Sequence, residues 1–132
     1  MSIMVLFRND ARTYTGFTPF LETDMNTLPQ AIANFVDANN AMDPQRIAAA
    51  FNPDAKVFDE GHLRSGREEI AAWASDYVAR YQSTMEPTGM VQAGDAHVVR
   101  ATVRGTFPGS PIALDFNFML QDGGIQSLEV TA

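Results

Sequence analysis

The last third of the chain most constrains the fold, because it reads as four strands in succession. Turn-forming residues bound each of these segments, as is typical of strands. The predicted strands are Met85 to Ala93, His97 to Phe107, Ile112 to Leu120 and Ile125 to Val130. The connections at residues 94–95, 108–111 and 122–124 contain glycine, proline, serine and aspartate, which favour tight turns. Strands joined by turns this short pair antiparallel, so we expect a meander.

The part of the chain before this meander predicts helices. Apolar residues recur at spacings of three and four, and Asp43 and Ser65 stand at positions typical of helix N-caps. The predicted helices run from Leu28 to about Met42, from Pro44 to Phe51 and from Gly66 to about Tyr81, with a strand from Ala55 to Glu60 before the third. Helices followed by a run of strands indicate the α+β class, with helices on one face of an antiparallel sheet.

Composition limits the number of domains and the chemistry. A chain of 132 residues with 45% hydrophobic content suits one compact domain. Residues 1–27 mix two apolar clusters with a polar, turn-prone stretch, so we predict an N-terminal arm followed by a domain at 28–132. The chain has no cysteine, which excludes thiol nucleophiles and thiolate metal sites. Its two histidines, His62 and His97, exclude a three-histidine centre, and we predict no metal and no cofactor.

The charge of the chain limits its partners. A net charge of −7 with nine scattered Lys and Arg residues argues against nucleic acid and against anionic membranes. No apolar run approaches the roughly 18 to 20 residues that cross a bilayer, and the N-terminus lacks the pattern of a secretion signal. We therefore expect a cytoplasmic protein.

Two carboxylates on otherwise apolar strands are the strongest candidates for a site. Asp59 ends the predicted strand after Val57, where it either points into a pocket or accepts hydrogen bonds from the following turn. Strict alternation places Asp115, together with Asn117 and Met119, on the face of its strand opposite Leu114, Phe116 and Phe118. A buried carboxyl at Asp115 needs a partner, a proton or solvent, because an unpaired one costs about 1–3 kcal/mol or more.

Polar and aromatic residues on the helices are further candidates. Trp73 and Tyr77 lie at helical spacing on the third helix, a pattern found more often in a core than in a pocket wall. Asn39 lies near the end of the first helix, where it either ends the apolar face or binds a ligand. Both interpretations of these residues stay open.

Three stretches of the chain resemble a known family. They are residues 35–43 (FVDANNAMD), residues 50–59 (AFNPDAKVFD), and Ser65-Gly66 with Ile70 and Trp73. Residues 28–132 are thereby similar to the nuclear transport factor 2-like superfamily, which includes SnoaL-like proteins and ketosteroid isomerases. The resemblance implies a cystatin-like cone, an α+β barrel in which three helices pack against a strongly curved antiparallel sheet. It also implies an apolar pocket and a homodimer formed through the sheet.

The resemblance also assigns roles to the two carboxylates. Asp59 falls where ketosteroid isomerases have their general base, and Asp115 falls where they have the protonated acid that donates to the enolate oxygen. Phe35 replaces the tyrosine that supplies the other oxyanion hydrogen bond, and Tyr77 or Tyr81 is a candidate substitute. The implied ligand-binding residues are Phe35, Asn39, Trp73, Tyr77, Asn117 and Met119.

The resemblance implies one of two functions. The first is cofactor-free acid–base chemistry of the isomerase, cyclase or lyase type on a small hydrophobic carbonyl compound. The second is a non-catalytic small-molecule-binding or dimerisation module of the same fold. The position of Asp59 and Asp115 distinguishes the two functions. Acid–base chemistry of the isomerase kind needs both groups at the same substrate, so it requires that they lie in one cavity.

Overall fold

Three helices and six strands make up residues 27–132, the part of the chain that the computed structural model describes. The elements are α1 (Gln30–Asn40), α2 (Pro44–Ala49), β1 (Phe51–Asp59), β2 (His62–Ser65), α3 (Gly66–Tyr81), β3 (Thr84–Ala93), β4 (Ala96–Arg104), β5 (Ile112–Gln121) and β6 (Gly124–Thr131). Most of the predicted N-terminal arm lies outside the described residues. Within residues 27–132, no helix is long and apolar enough to span a membrane.

All six strands form one sheet in the order β2-β1-β6-β5-β4-β3. Neighbouring strands pair antiparallel except β1 and β6, which are parallel. Register shifts interrupt the pairs β1–β6, β3–β4 and β5–β6, and such bulges bend strands. The predicted α+β class, with three helices packed on a curved sheet, is confirmed. The parallel pair is the exception to the expected antiparallel sheet.

The β1–β2 hairpin was absent from the predicted elements. Its turn consists of Glu60 and Gly61, both with positive φ (53° and 78°), which is the backbone of a two-residue type I′ turn. The turn sets Asp59 opposite His62 and Phe58 opposite Leu63. β2 is only four residues long and is exposed or half-buried throughout, so it lacks the apolar alternation that reveals a strand.

The boundary between α2 and β1 also differs from the prediction. The helix was predicted to end at Phe51 and the strand to begin at Ala55, yet β1 already begins at Phe51. The Asn52 side chain donates to the Gln121 carbonyl (3.0 Å) and to Gln126 Oε1 (2.8 Å), which fastens this segment to the sheet. Pro53 is tolerated because the β1–β6 register is interrupted between Phe51 and Lys56.

Side-chain hydrogen bonds stabilise the first turns of α2 and α3. The Asp43 carboxylate accepts from the Arg46 backbone N–H at 3.2 Å, so the predicted cap of α2 is confirmed. Ser65 precedes α3, but its side chain makes no capping bond. Instead, Glu69 Oε1 accepts from the Ser65 backbone N–H at 2.8 Å, which satisfies this donor at the start of the helix.

The core lies between the helices and the face of the sheet that they cover, here called the inner face. Phe35 of α1 is its centre, with ring centroids 5.9 Å from Phe51, 6.2 Å from Phe116 and 5.6 Å from Phe118. The inner face also carries Val57 of β1, Val99, Ala101 and Val103 of β4, Leu114 of β5 and Leu128 of β6, all buried. The opposite side of the sheet is called the outer face below.

Candidate functional site

The two candidate carboxylates lie on opposite faces of the sheet. Asp59 follows Val57 at a spacing of two, so both point to the inner face. Asp115 lies between Leu114 and Phe116, which point inward, so its own side chain points outward. The structure therefore corrects the expectation that Asp59 and Asp115 face each other across one cavity.

Asp115 is held by an arginine on the neighbouring strand. Arg100 of β4 stands opposite Asp115 in register and donates to both carboxylate oxygens, at 2.9 and 3.3 Å. The Asp115 residue is only 2% exposed. Desolvation lowers the pKa of Arg100 from its ordinary value. A carboxylate that accepts two guanidinium bonds is an ion-pair partner, and these surroundings do not support the role of a proton-donating acid.

Asp59 is a buried carboxylate that reaches across to α3. It is the last residue of β1 and is 1% exposed. Trp73 Nε1 donates to Asp59 Oδ2 at 3.0 Å, and the backbone oxygen of Asp59 accepts from Arg64 Nη1 at 2.7 Å. The indole fixes the carboxylate in place without bringing a positive charge to it.

Three aromatic residues lie along α3, and two of them, Trp73 and Tyr81, place polar atoms against the end of β1 and the turn after it. Trp73, Tyr77 and Tyr81 follow one another at spacings of four and are all buried. The Trp73 and Tyr77 ring centroids are 4.8 Å apart. The Tyr81 hydroxyl lies 3.5 Å from Glu60 Oε2. The residues at this predicted helical spacing therefore form one stripe along α3. Their rings pack in the core, and their polar atoms form hydrogen bonds.

Tyr77 is tied to α1 rather than left open for a ligand. Its hydroxyl donates to Asn39 Oδ1 at 2.6 Å, and both residues are at most 1% exposed. Burial, and after it the Asp59 carboxylate, raise the pKa of Tyr77 well above its ordinary value, so the hydroxyl keeps its proton. Because that hydrogen is already donated to Asn39, Tyr77 does not replace the oxyanion donor that is missing at Phe35.

The remaining predicted residues separate into two groups. Trp73 binds Asp59, Tyr77 packs on Trp73, and Asn39 accepts from Tyr77; these four residues are called the Asp59 cluster below. Asn117 and Met119 point to the outer face with Asp115, which corrects their assignment to the same pocket as Asp59. The sequence analysis did not identify Arg100. The signal for it was a positively charged residue on the neighbouring predicted strand, at a position that alternates with apolar residues.

A cavity of about 370 Å³ lies on the outer face. Asn117 and Met119 line it, together with Phe58 and Leu63. Phe58, Leu63 and Met119 are 44%, 56% and 45% exposed, large values for apolar side chains. A second cavity of about 590 Å³ lies against α2 and α3. Neither of these two cavities is lined by the Asp59 cluster.

Several solved structures are similar to the chain. A proposed polyketide cyclase from Sinorhizobium meliloti is 34% identical with a TM-score of 0.78, over 83% of this chain and 100% of that one. A Catenulispora acidiphila protein with a ketosteroid isomerase-like fold, in complex with trimethylamine, is 22% identical with a TM-score of 0.72, over 80% and 87% of the two chains. The epoxide hydrolase/cyclase-like enzyme SalBIII is 21% identical with a TM-score of 0.67, over 77% and 87%. The last two show a likeness of fold alone.

The family assignment comes from the sequence match together with the architecture. No functionally curated protein matches the chain. The family described as SnoaL-like domain matches residues 32–126, which run from α1 into β6. This match covers most of the described helices and strands, including all four residues of the Asp59 cluster. The chain belongs to the SnoaL-like domain family.

Proposed function

We propose that the protein is a cofactor-free acid–base catalyst in which Asp59 removes a proton next to the carbonyl of a small hydrophobic compound. The single observation that carries this proposal is the Asp59 carboxylate itself, 1% exposed and held by the Trp73 indole. Similarity to a proposed polyketide cyclase supports the same class of chemistry. The reaction would be of the isomerase, cyclase or lyase type.

The surroundings of Asp59 suit a general base. Asp59 is buried against Trp73 at the end of β1, so bulk water does not surround the carboxylate. A base must also be positioned, and the hydrogen bond from Trp73 restrains the carboxylate orientation. Transfer of a proton from carbon to a carboxylate requires no cofactor.

The test uses 2-tetralone, a ketone with acidic hydrogens beside its carbonyl, incubated with the protein in D₂O. Proton NMR follows the exchange of these hydrogens for deuterium. Asp59→Asn should lower the exchange rate by about a hundredfold or more, because the amide cannot accept the proton. The amide oxygen can still accept from Trp73, so the variant should keep its fold. Asp37→Asn, which removes an exposed carboxylate of α1, is the matched control and should exchange at the wild-type rate.

The proposal of a base at Asp59 fails if the folded Asp59→Asn variant exchanges 2-tetralone as fast as the wild-type protein. It fails equally if both proteins match an equal concentration of acetate. Circular dichroism of each variant establishes that the comparison is made between folded proteins.

A second candidate function is supported by the outer face. We propose that this face pairs with a second copy of the chain, because three exposed apolar side chains surround one cavity there. Lys56 and Glu129, of opposite charge, also line that cavity, so a two-fold arrangement can set each against its counterpart on the other copy. The domain would then act as a dimerisation module whether or not it is catalytic.

Sedimentation velocity tests this pairing. The wild-type protein should sediment as a dimer at micromolar concentration, and the double variant Phe58→Ser/Leu63→Ser as a monomer. Ala49→Ser, on the exposed side of α2, is the control and should stay dimeric. A wild-type monomer across the whole concentration range, or a dimer that survives the double substitution, would contradict this interface.

A further inference from the structure

We propose that Phe107 is a specificity-determining residue for the Asp59 site, because it holds the loop at residues 105–111 against Tyr81 and so closes the way from solvent to Asp59. This loop follows β4 and precedes β5, and it is called the Phe107 loop below. The role in specificity rests on the proposed function, whereas the closure itself does not. Phe107 touches no reacting atom in this proposal.

The Asp59 site is closed in the structure. Asp59 and Trp73 are 1% and 4% exposed, and neither of the two cavities described above is lined by the Asp59 cluster. A ketone of the size of 2-tetralone therefore reaches the carboxylate only after a local movement of the surrounding elements. Such movements begin in segments with few buried contacts, since these segments cost least to displace. The Phe107 loop is such a segment.

The Phe107 loop buries a single side chain. Phe107 is 7% exposed, whereas the other residues of the loop are exposed or half-buried. The Gly105 N–H donates to Ser110 Oγ at 3.0 Å, which closes the loop on itself. In the described part of the chain, both hydrogen bonds from the loop to another element come from Thr106 and end on the Tyr81 carbonyl, at 2.8 and 3.1 Å. One buried ring and two hydrogen bonds to one carbonyl thus hold the loop against α3.

Phe107 packs on Tyr81, the last residue of α3. The two ring centroids are 6.1 Å apart and the ring planes are at 86°, the edge-to-face arrangement that aromatic pairs favour. Glycine at position 105 permits this close approach, because a Cβ on Gly105 would lie 2.5 Å from the Tyr81 carbonyl oxygen. The Arg80 guanidinium lies over the Tyr81 ring, 5.0 Å from its centroid. Tyr81 is 8% exposed beneath these contacts.

Tyr81 connects the Phe107 loop to the surroundings of Asp59. Its hydroxyl lies 3.5 Å from Glu60 Oε2, and Glu60 directly follows Asp59. Tyr81 also continues the stripe of α3 that contains Trp73, whose Nε1 binds Asp59 Oδ2 at 3.0 Å. In this proposal, a compound that enters beside Glu60 meets Tyr81 first. Tyr81 moves aside only when the Phe107 ring releases it.

The closed arrangement predicts selection by size. A larger compound needs the release of Phe107 more than a smaller one does, because it requires a wider opening. 2-Tetralone is a bicyclic ketone, and acetone is a much smaller ketone with acidic hydrogens beside its carbonyl. Both undergo the same exchange of hydrogen for deuterium, so the ratio of their rates measures selection apart from the chemistry.

Fluorescence quenching of Trp73 tests the closure without requiring catalysis. Trp73 is the only tryptophan of the chain and binds Asp59, so quenching of its emission by acrylamide reports entry to the site. The bimolecular quenching constant, obtained from lifetimes, should rise about fivefold or more in Phe107→Ala. Leu28→Ala is the matched control, because Leu28 is also 7% exposed but precedes α1, at the end away from Asn39. It should be quenched as the wild-type protein is.

Thr106→Val is the deciding variant if Phe107→Ala does not fold. It removes only the hydroxyl bond of an exposed residue to the Tyr81 carbonyl, so the fold is kept, and it should raise the quenching constant about twofold. The proposal is overturned if folded Phe107→Ala, or Thr106→Val in its place, is quenched no faster than the wild-type protein. It is overturned as well if Leu28→Ala raises the constant as much as the loop variant does.

Exchange in D₂O separates this inference from the proposed function. Phe107→Ala should raise the rate for 2-tetralone about threefold or more relative to the rate for acetone. An unchanged ratio in a protein whose exchange depends on Asp59 overturns the role in specificity. If quenching rises but neither protein exchanges 2-tetralone, the Phe107 loop closes the site and the base at Asp59 fails alone. If exchange depends on Asp59 but quenching does not respond to the loop variant, the base stands and this inference fails.

Discussion

The Phe35→Ala variant should unfold with about 3–5 kcal/mol less free energy than the wild-type protein. Phe35 is 0% exposed and its ring lies within 6.2 Å, centroid to centroid, of three other phenylalanine rings. Its removal takes away the contact that joins α1 to β1 and β5 and leaves a cavity that the surrounding rings fill only in part. Equilibrium unfolding in urea, monitored by circular dichroism, measures the loss.

Phe35→Leu is the matched control for this experiment. It keeps most of the apolar volume, so the expected cost is about 1 kcal/mol. A loss below about 1 kcal/mol for Phe35→Ala would contradict the core role and would favour the ligand-binding role predicted from the sequence. Comparing Phe35→Leu with Phe35→Ala therefore distinguishes a ring that fills the core from a ring that lines a pocket.

The Arg100→Leu variant should lose about 3 kcal/mol of unfolding free energy. The Asp115 side chain is 3% exposed and accepts from Arg100 at 2.9 Å, so the substitution removes the guanidinium from a buried carboxylate. The buried carboxylate loses two guanidinium hydrogen bonds, and this loss is the expected source of the effect. Urea unfolding at neutral pH and constant ionic strength measures it.

Two controls establish that burial causes the loss. The double variant Arg100→Leu/Asp115→Leu should regain most of the stability, because no unpaired charge remains. Arg80→Leu removes the exposed Arg80–Asp76 pair, whose side chains are 50% and 58% exposed, and should cost less than about 1 kcal/mol. An additive loss in the Arg100/Asp115 double variant would mean that the two side chains stabilise the sheet independently.

The elements with strong local signals were predicted closely. Helix α3 begins at Gly66 and ends at Tyr81 as expected, because its apolar spacing and its acidic first turn are both local properties of the chain. Strand β4, by contrast, ends at Arg104, three residues before the prediction. Residues after it turn back onto α3, where the Thr106 backbone N–H donates to the Tyr81 carbonyl at 2.8 Å. That contact is between distant parts of the chain and has no local signature.

The sequence predicted only part of the candidate site, because local signals again were present for some features and absent for others. Alternation along β5 was sufficient to place Asp115, Asn117 and Met119 on one face of the strand, and the structure confirms this. A period of two does not say which face meets the helices. The contacts of Phe116 and Phe118 with Phe35 decide it, and they turn Asp115 outward. The parallel partner of β1 was missed because pairing between strands far apart in sequence leaves no local pattern.

The position of β6 in the sheet affects how the chain folds as it leaves the ribosome. Among the described strands, β6 alone borders both β1 and β5, so it joins the β1–β2 hairpin to the β3–β5 meander. Both parts emerge before β6, and each then presents an unpaired strand edge to solvent or to other nascent chains. Because the β1–β6 contacts join distant parts of the sequence, such as Phe51 and Ile125, we expect them to form late and to slow folding. Until β6 pairs, the exposed edges of β1 and β5 are therefore the places at which the chain is most prone to aggregate.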